Sequence, residues 1–136
     1  MKLIDNSNSE EILLPNDLLW EDEFSWSPVV QSINYSLTGA LLIDTEVKQA
    51  GRPISLKYPA NDMAWVTRDV AAKLLSWAAV PDKVMTLKFE YTSDVRTFQV
   101  RFRIADTAVD AEPVKEFPEH DPNSWFRVKI NLIEVA

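Results

Sequence analysis

Residues 96–104, RTFQVRFRI, alternate as strictly as any part of this chain. Phe98, Val100, Phe102 and Ile104 fall on one side, and Thr97, Gln99, Arg101 and Arg103 on the other. A period of two over nine residues, rich in aromatic and branched side chains, specifies a strand with one face inward. A helix would scatter the same four apolar residues around its circumference. The fold class follows from how many neighbouring segments repeat this pattern.

Several do. Upstream, 84–91 places Met85, Leu87, Phe89 and Tyr91 in phase, and the polar YTSDVR between the two runs reads as a hairpin loop. Downstream, 125–135 aligns Phe126, Val128, Ile130 and Leu132, with Ile133 and Val135 out of phase, as at a bulge or a two-sided burial. The segment between, AEPVKEFPEHDPNSW, reads as a short edge piece and a surface loop. ISLKY at 54–58 lies between Pro53 and Pro59, and Glu11–Leu14 is a short strand ending at Pro15. Val29, Gln31, Ile33, Tyr35 and Leu37 alternate with Val30, Ser32, Asn34 and Ser36, a half-buried strand. Thr38-Gly39 then turns the chain into 40–48, where the apolar Leu41, Ile43 and Val47 share a side with Thr45.

Helical spacing occurs once, in TRDVAAKLLSWAA at 67–79, with Val70, Ala71, Leu74, Leu75 and Ala78 on one stripe. Thr67 is placed to cap it, Asp69 suits the dipole, and Pro81 ends it. Six or seven strands joined mainly by hairpins, with one covering helix, predict a mainly β fold. An antiparallel barrel or sandwich is expected over 11–136, after a flexible segment at 1–10.

The 136 residues are 46% hydrophobic and carry no cysteine, which suits one packed core without disulfides or thiolate metal sites. A net charge of −7 with dispersed Lys and Arg argues against nucleic-acid binding. On RTFQVRFRI itself, alternation separates the rings from Arg101 and Arg103, so no base-stacking surface forms. No apolar run approaches a membrane span or a signal peptide, so direct membrane insertion is not expected.

Catalytic patterns are weak. His120 is the lone histidine, and Glu119-His120-Asp121 lacks a second ligand at metal-binding spacing. No nucleophile elbow surrounds any serine, and two glycines cannot build a phosphate loop. Asp44 and Glu46 share a strand face about 7 Å apart, the pattern of a solvated face as much as of a carboxylate pair. No enzyme, cofactor or metal is expected.

Function must then lie in surfaces, and LLWEDEFSW at 18–26 draws attention. Its aromatics either cap one end of the core or cross to a neighbouring subunit as anchors within a polar rim. In the second reading Leu18, Trp20, Phe24 and Trp26 form an interface. Glu21, Asp22 and Glu23 would steer it to a basic patch containing Arg101 and Arg103.

The succession LPNDLLWEDEFSWSPV, SLTGALLIDTEVKQAGRPISL, RTFQVRFR, AEPV and WFRVKINLIEV resembles small tail-tip structural proteins of long-tailed bacteriophages, those of the distal-tail and baseplate type. The resemblance covers roughly 14–135. It implies a β-barrel or sandwich that forms a homo-oligomeric ring in the virion and adapts the tail tube to the hub or receptor-binding apparatus. Neighbouring tube, distal-tail or hub proteins would be its partners, and it brings no catalytic residues. The alternative is a monomeric carbohydrate- or protein-binding β module.

Overall fold

The computed structural model describes residues 1–115, 119 and 121–135. Strand makes up 43% and helix 11%, so the chain is mainly β. In order come β1 (Lys2–Asp5), β2 (Glu11–Leu13), β3 (Leu19–Trp20), β4 (Val29–Tyr35), β5 (Leu41–Val47), β6 (Pro53–Lys57), β7 (Trp65–Thr67) and α1 (Arg68–Ala78). Then follow β8 (Met85–Lys88), β9 (Thr97–Phe102), a 3-10 turn at Ile104–Asp106, β10 (Val109–Pro113) and β11 (Trp125–Glu134).

β11 is the axis of the main sheet. Its second half lies between β9 and β6, and its first half between β10 and β7. The full path runs β2-β1-β8-β9-β11-β6-β3, antiparallel throughout. This sheet does not close into a barrel; the arrangement is sandwich-like.

Asn131 bridges the gap between β9 and β10. Its backbone N–H donates to Ala108 O at 2.9 Å, and its carbonyl accepts from the Arg103 N–H at 3.0 Å. Its side-chain amide donates to Asp106 O and Thr107 O, both at 2.9 Å. Carbonyls that a broken strand would leave unpaired are thereby satisfied. The break also corrects the reading of Ile104 as inward. The strand ends at Phe102, and Ile104 turns out to solvent, while Val100 is fully buried and Phe98 and Phe102 pack at the core's margin.

The in-phase residues Val128, Ile130 and Leu132 meet Ile54, Leu56, Met85, Leu87 and Val100 in the core. α1 covers it as expected, with the Thr67 hydroxyl accepting from Val70 N–H at 3.4 Å. Its buried residues are Ala71, Leu74 and Trp77, whereas Leu75 faces solvent, so the helix is rotated toward Trp77 relative to the stripe read from sequence.

Residues 1–10, expected as a flexible segment, instead supply a strand to the sheet. β1 pairs with β2 on one edge and β8 on the other, and Leu3 is fully buried. The turn that follows is tied by Asp5, which accepts from the Ser7 N–H at 2.9 Å and its hydroxyl at 2.8 Å and pairs with Lys83. Partners eighty residues away bury a short apolar pair that local pattern gives no reason to count.

Candidate assembly surface

Among the described residues, β4 and β5 pair with each other alone and form a separate two-stranded sheet. Their register runs from Val29↔Val47 to Tyr35↔Leu41 without a bulge. All fourteen residues are exposed, which overturns the expectation of a half-buried strand at 29–37. Seven residues per strand give an arm about 24 Å long.

The arm has two unlike faces. One carries Val29, Ile33, Tyr35, Leu41, Ile43 and Val47, with Gln31 opposite Thr45 and no charge. The other carries Val30, Ser32, Asn34 and Leu42 with the carboxylates Asp44 and Glu46. Alternation was read correctly from sequence; what lies over the apolar face was not. An isolated hairpin is marginal in water, and this one leaves its apolar side chains exposed.

Its tip is well defined. Ser36 N–H donates to Ala40 O at 2.8 Å, Gly39 N–H to Ser36 O at 2.9 Å, and Ala40 N–H to Ser36 Oγ at 3.0 Å. Gly39 has φ +83°, which is why glycine is needed, since nothing lies within 4 Å of where its Cβ would stand. Leu37 projects from this tip with no cover. At the root, Lys48 N–H donates to Pro28 O at 2.7 Å, and the Lys48 ammonium lies 5.6 Å from the centre of the Trp26 ring.

The stretch 18–26 divides. Leu18 and Trp20 belong to the core, so the structure corrects their assignment to an exposed interface. Trp20, 7% exposed, stacks on Phe89 at 5.8 Å and meets Phe98 edge-on at 5.4 Å, and its indole N–H donates to Pro53 O at 3.3 Å. The Arg52 and Arg96 guanidiniums lie 4.6 and 5.5 Å from its ring centre. Phe24 is 93% exposed and Trp26 is half-buried, so these two remain available near the arm's root.

The three acids turn to their own chain rather than outward to a partner. Glu21 pairs with Lys57 at 2.6 Å and Glu23 with Arg96 at 2.7 Å. Asp22 accepts from the Ser55 N–H at 3.0 Å and the Ser55 hydroxyl at 2.8 Å. Arg96 is bound as well by Asp94 at 2.8 Å, an arrangement that raises the arginine further and lowers the Asp94 carboxyl. Burial pushes the neighbouring Tyr91 phenol up.

Arg101 and Arg103 also separate. Arg103 is held by Ser55 Oγ, by Asn131 Oδ1 at 3.1 Å and by Asp106 at 3.6 Å, which makes it a brace between strands. Arg101 pairs with the exposed Asp82 and rims a recess of about 300 Å³ lined by Val80, Pro81, Phe102 and Ile104.

Among the described residues, no group of three His, Cys, Asp or Glu could hold a metal ion, and no helix is long and apolar enough to cross a membrane. His120 lies outside the described residues. Asp44 and Glu46 are both exposed, on the face of the arm opposite the apolar one. The Asp5 carboxyl is drawn down to about 2 by its hydrogen bond from Lys83 and those from Ser7, a link that ties strand ends together. No protein-family model, curated protein or solved structure matches this chain.

Proposed function

We propose that the chain is a structural assembly subunit that engages neighbours through its β4–β5 arm, as a ring-forming adaptor in a bacteriophage tail tip. The observation that carries the assembly reading is the arm's uncovered apolar face, six large side chains on a hairpin that, among the described residues, hydrogen-bonds to no other strand. Apolar side chains on an arm with two open strand edges gain stability when another surface covers them. The tail-tip setting rests on the sequence resemblance alone.

Replacing 30–46 by a short Gly-Ser turn tests this reading. The shortened chain is expected to keep its melting temperature, because β4 and β5 lie outside the main sheet, and to lose self-association or tail-tip incorporation in light scattering and virion assembly assays. Unchanged assembly overturns the proposal. A monomeric carbohydrate-binding module is the second reading, favoured by the partly exposed Trp65 and Trp125, whose rings lie 6.3 Å apart. Glycan binding lost on Trp125→Ala, in a chain that stays monomeric, would establish it.

A further inference from the structure

Resting on the assembly reading, we infer that the arm's occupant is a second copy of this chain, and that its tip seats in the recess between the end of α1 and the end of β9. Size argues first against two arms simply facing each other. One arm face is about 24 by 10 Å, about 240 Å², against about 800 Å² per partner in a stable interface. The arm must therefore also meet a body.

The recess at 78–83 and 101–104 offers the complementary surface. It holds about 300 Å³, enough for a leucine side chain, and exposes Val80 and Ile104, each about half or more uncovered. A second recess of about 410 Å³ shares Val80, Pro81, Asp82 and Lys83 with it, so the concavity continues around the 80–84 turn. Leu37, at the tip, is the most exposed apolar residue of the arm.

Charge agrees. From 29 to 47 the arm holds Asp44 and Glu46 and no cation, and Arg101 stands on the rim of the recess. Arg101 pairs with Asp82 at the surface, both well exposed, and such a pair exchanges partners at little cost. Arm and recess are different surfaces of one molecule, so the contact is head-to-tail and propagates into a ring where the rotation closes.

The absence of cysteine makes the test direct. Leu37→Cys and Ile104→Cys chains are mixed under mild oxidation, and a disulfide between them requires the two Cα atoms to approach within about 7 Å. A cross-linked pair formed in the mixture, well above either variant alone, is expected. Arg101→Glu should weaken association several-fold, and Asp44→Arg in the partner should restore it. Leu37→Cys linking to itself as readily as to Ile104→Cys overturns the inference in favour of arm tips that meet each other. Wild-type oligomers with no mixed cross-link refute the recess and leave the arm reading standing; no self-association at the highest attainable concentration refutes the second-copy inference outright.

Discussion

Ile33 and Ile43 sit directly opposite each other in the β4–β5 hairpin, yet they remain 58% and 51% exposed. In a finished sheet such a cross-strand pair would be covered by a second layer. Here the pair stabilises only the hairpin, by about 0.2–1 kcal/mol. Ile33→Ser with Ile43→Ser should therefore leave the main unfolding transition unshifted in circular dichroism, while oligomer formation in light scattering falls sharply. A large drop in melting temperature would mean that the arm packs on the body.

Trp20 and Phe24, four residues apart, should behave as opposites. Trp20→Ala removes a ring packed between Phe89 and Phe98 and is expected to cost about 3–5 kcal/mol in urea denaturation. Phe24→Ala should stay within about 0.5 kcal/mol of the parent. Joint substitution therefore cannot test an interface, because one half of it attacks the core; Phe24→Ala alone can.

Asp22 anchors its loop to β6 through Ser55. Asp22→Ala leaves the Ser55 N–H without this acceptor, at about 1–3 kcal/mol where the group stays dry. Faster proteolysis within 21–27 at unchanged secondary structure is expected. Protease resistance equal to the parent would show that the Glu21 and Glu23 ion pairs hold the loop without it.

Acid should loosen the β1 end. Asp5 titrates at about 2 in the folded chain against an ordinary 3.8. A lowered folded value means the contribution is complete above about pH 4 and is lost as pH falls through 2. Melting temperature should decline over that interval, and Asp5→Asn should flatten the decline while lowering stability at neutral pH. An unaltered acid profile in Asp5→Asn would assign the loss to other carboxylates.

Local pattern was enough for the strands at 97–102, 85–88 and 41–47 and for the helix with its Thr67 cap, because period and cap chemistry act over a few residues. Three strands escaped it. β1, β3 and β7 have two to four residues each, and long-range pairing defines them rather than a visible run of alternation. The candidate site was legible in composition but misplaced: LLWEDEFSW has an anchor's makeup, yet its acids and Trp20 serve the fold.

Sequence by itself determined the mainly β class, the one amphipathic helix and which side chains of 29–47 share a face, since these follow from backbone period alone. Only tertiary structure decided which apolar faces are covered. Val128 and Ile33 look alike in their strands, but β11 lies at the centre of the main sheet with α1 packed nearby, while among the described residues β4 hydrogen-bonds to β5 alone. Burial depends on what arrives from elsewhere in the chain, and the described residues leave β4 and β5 exposed.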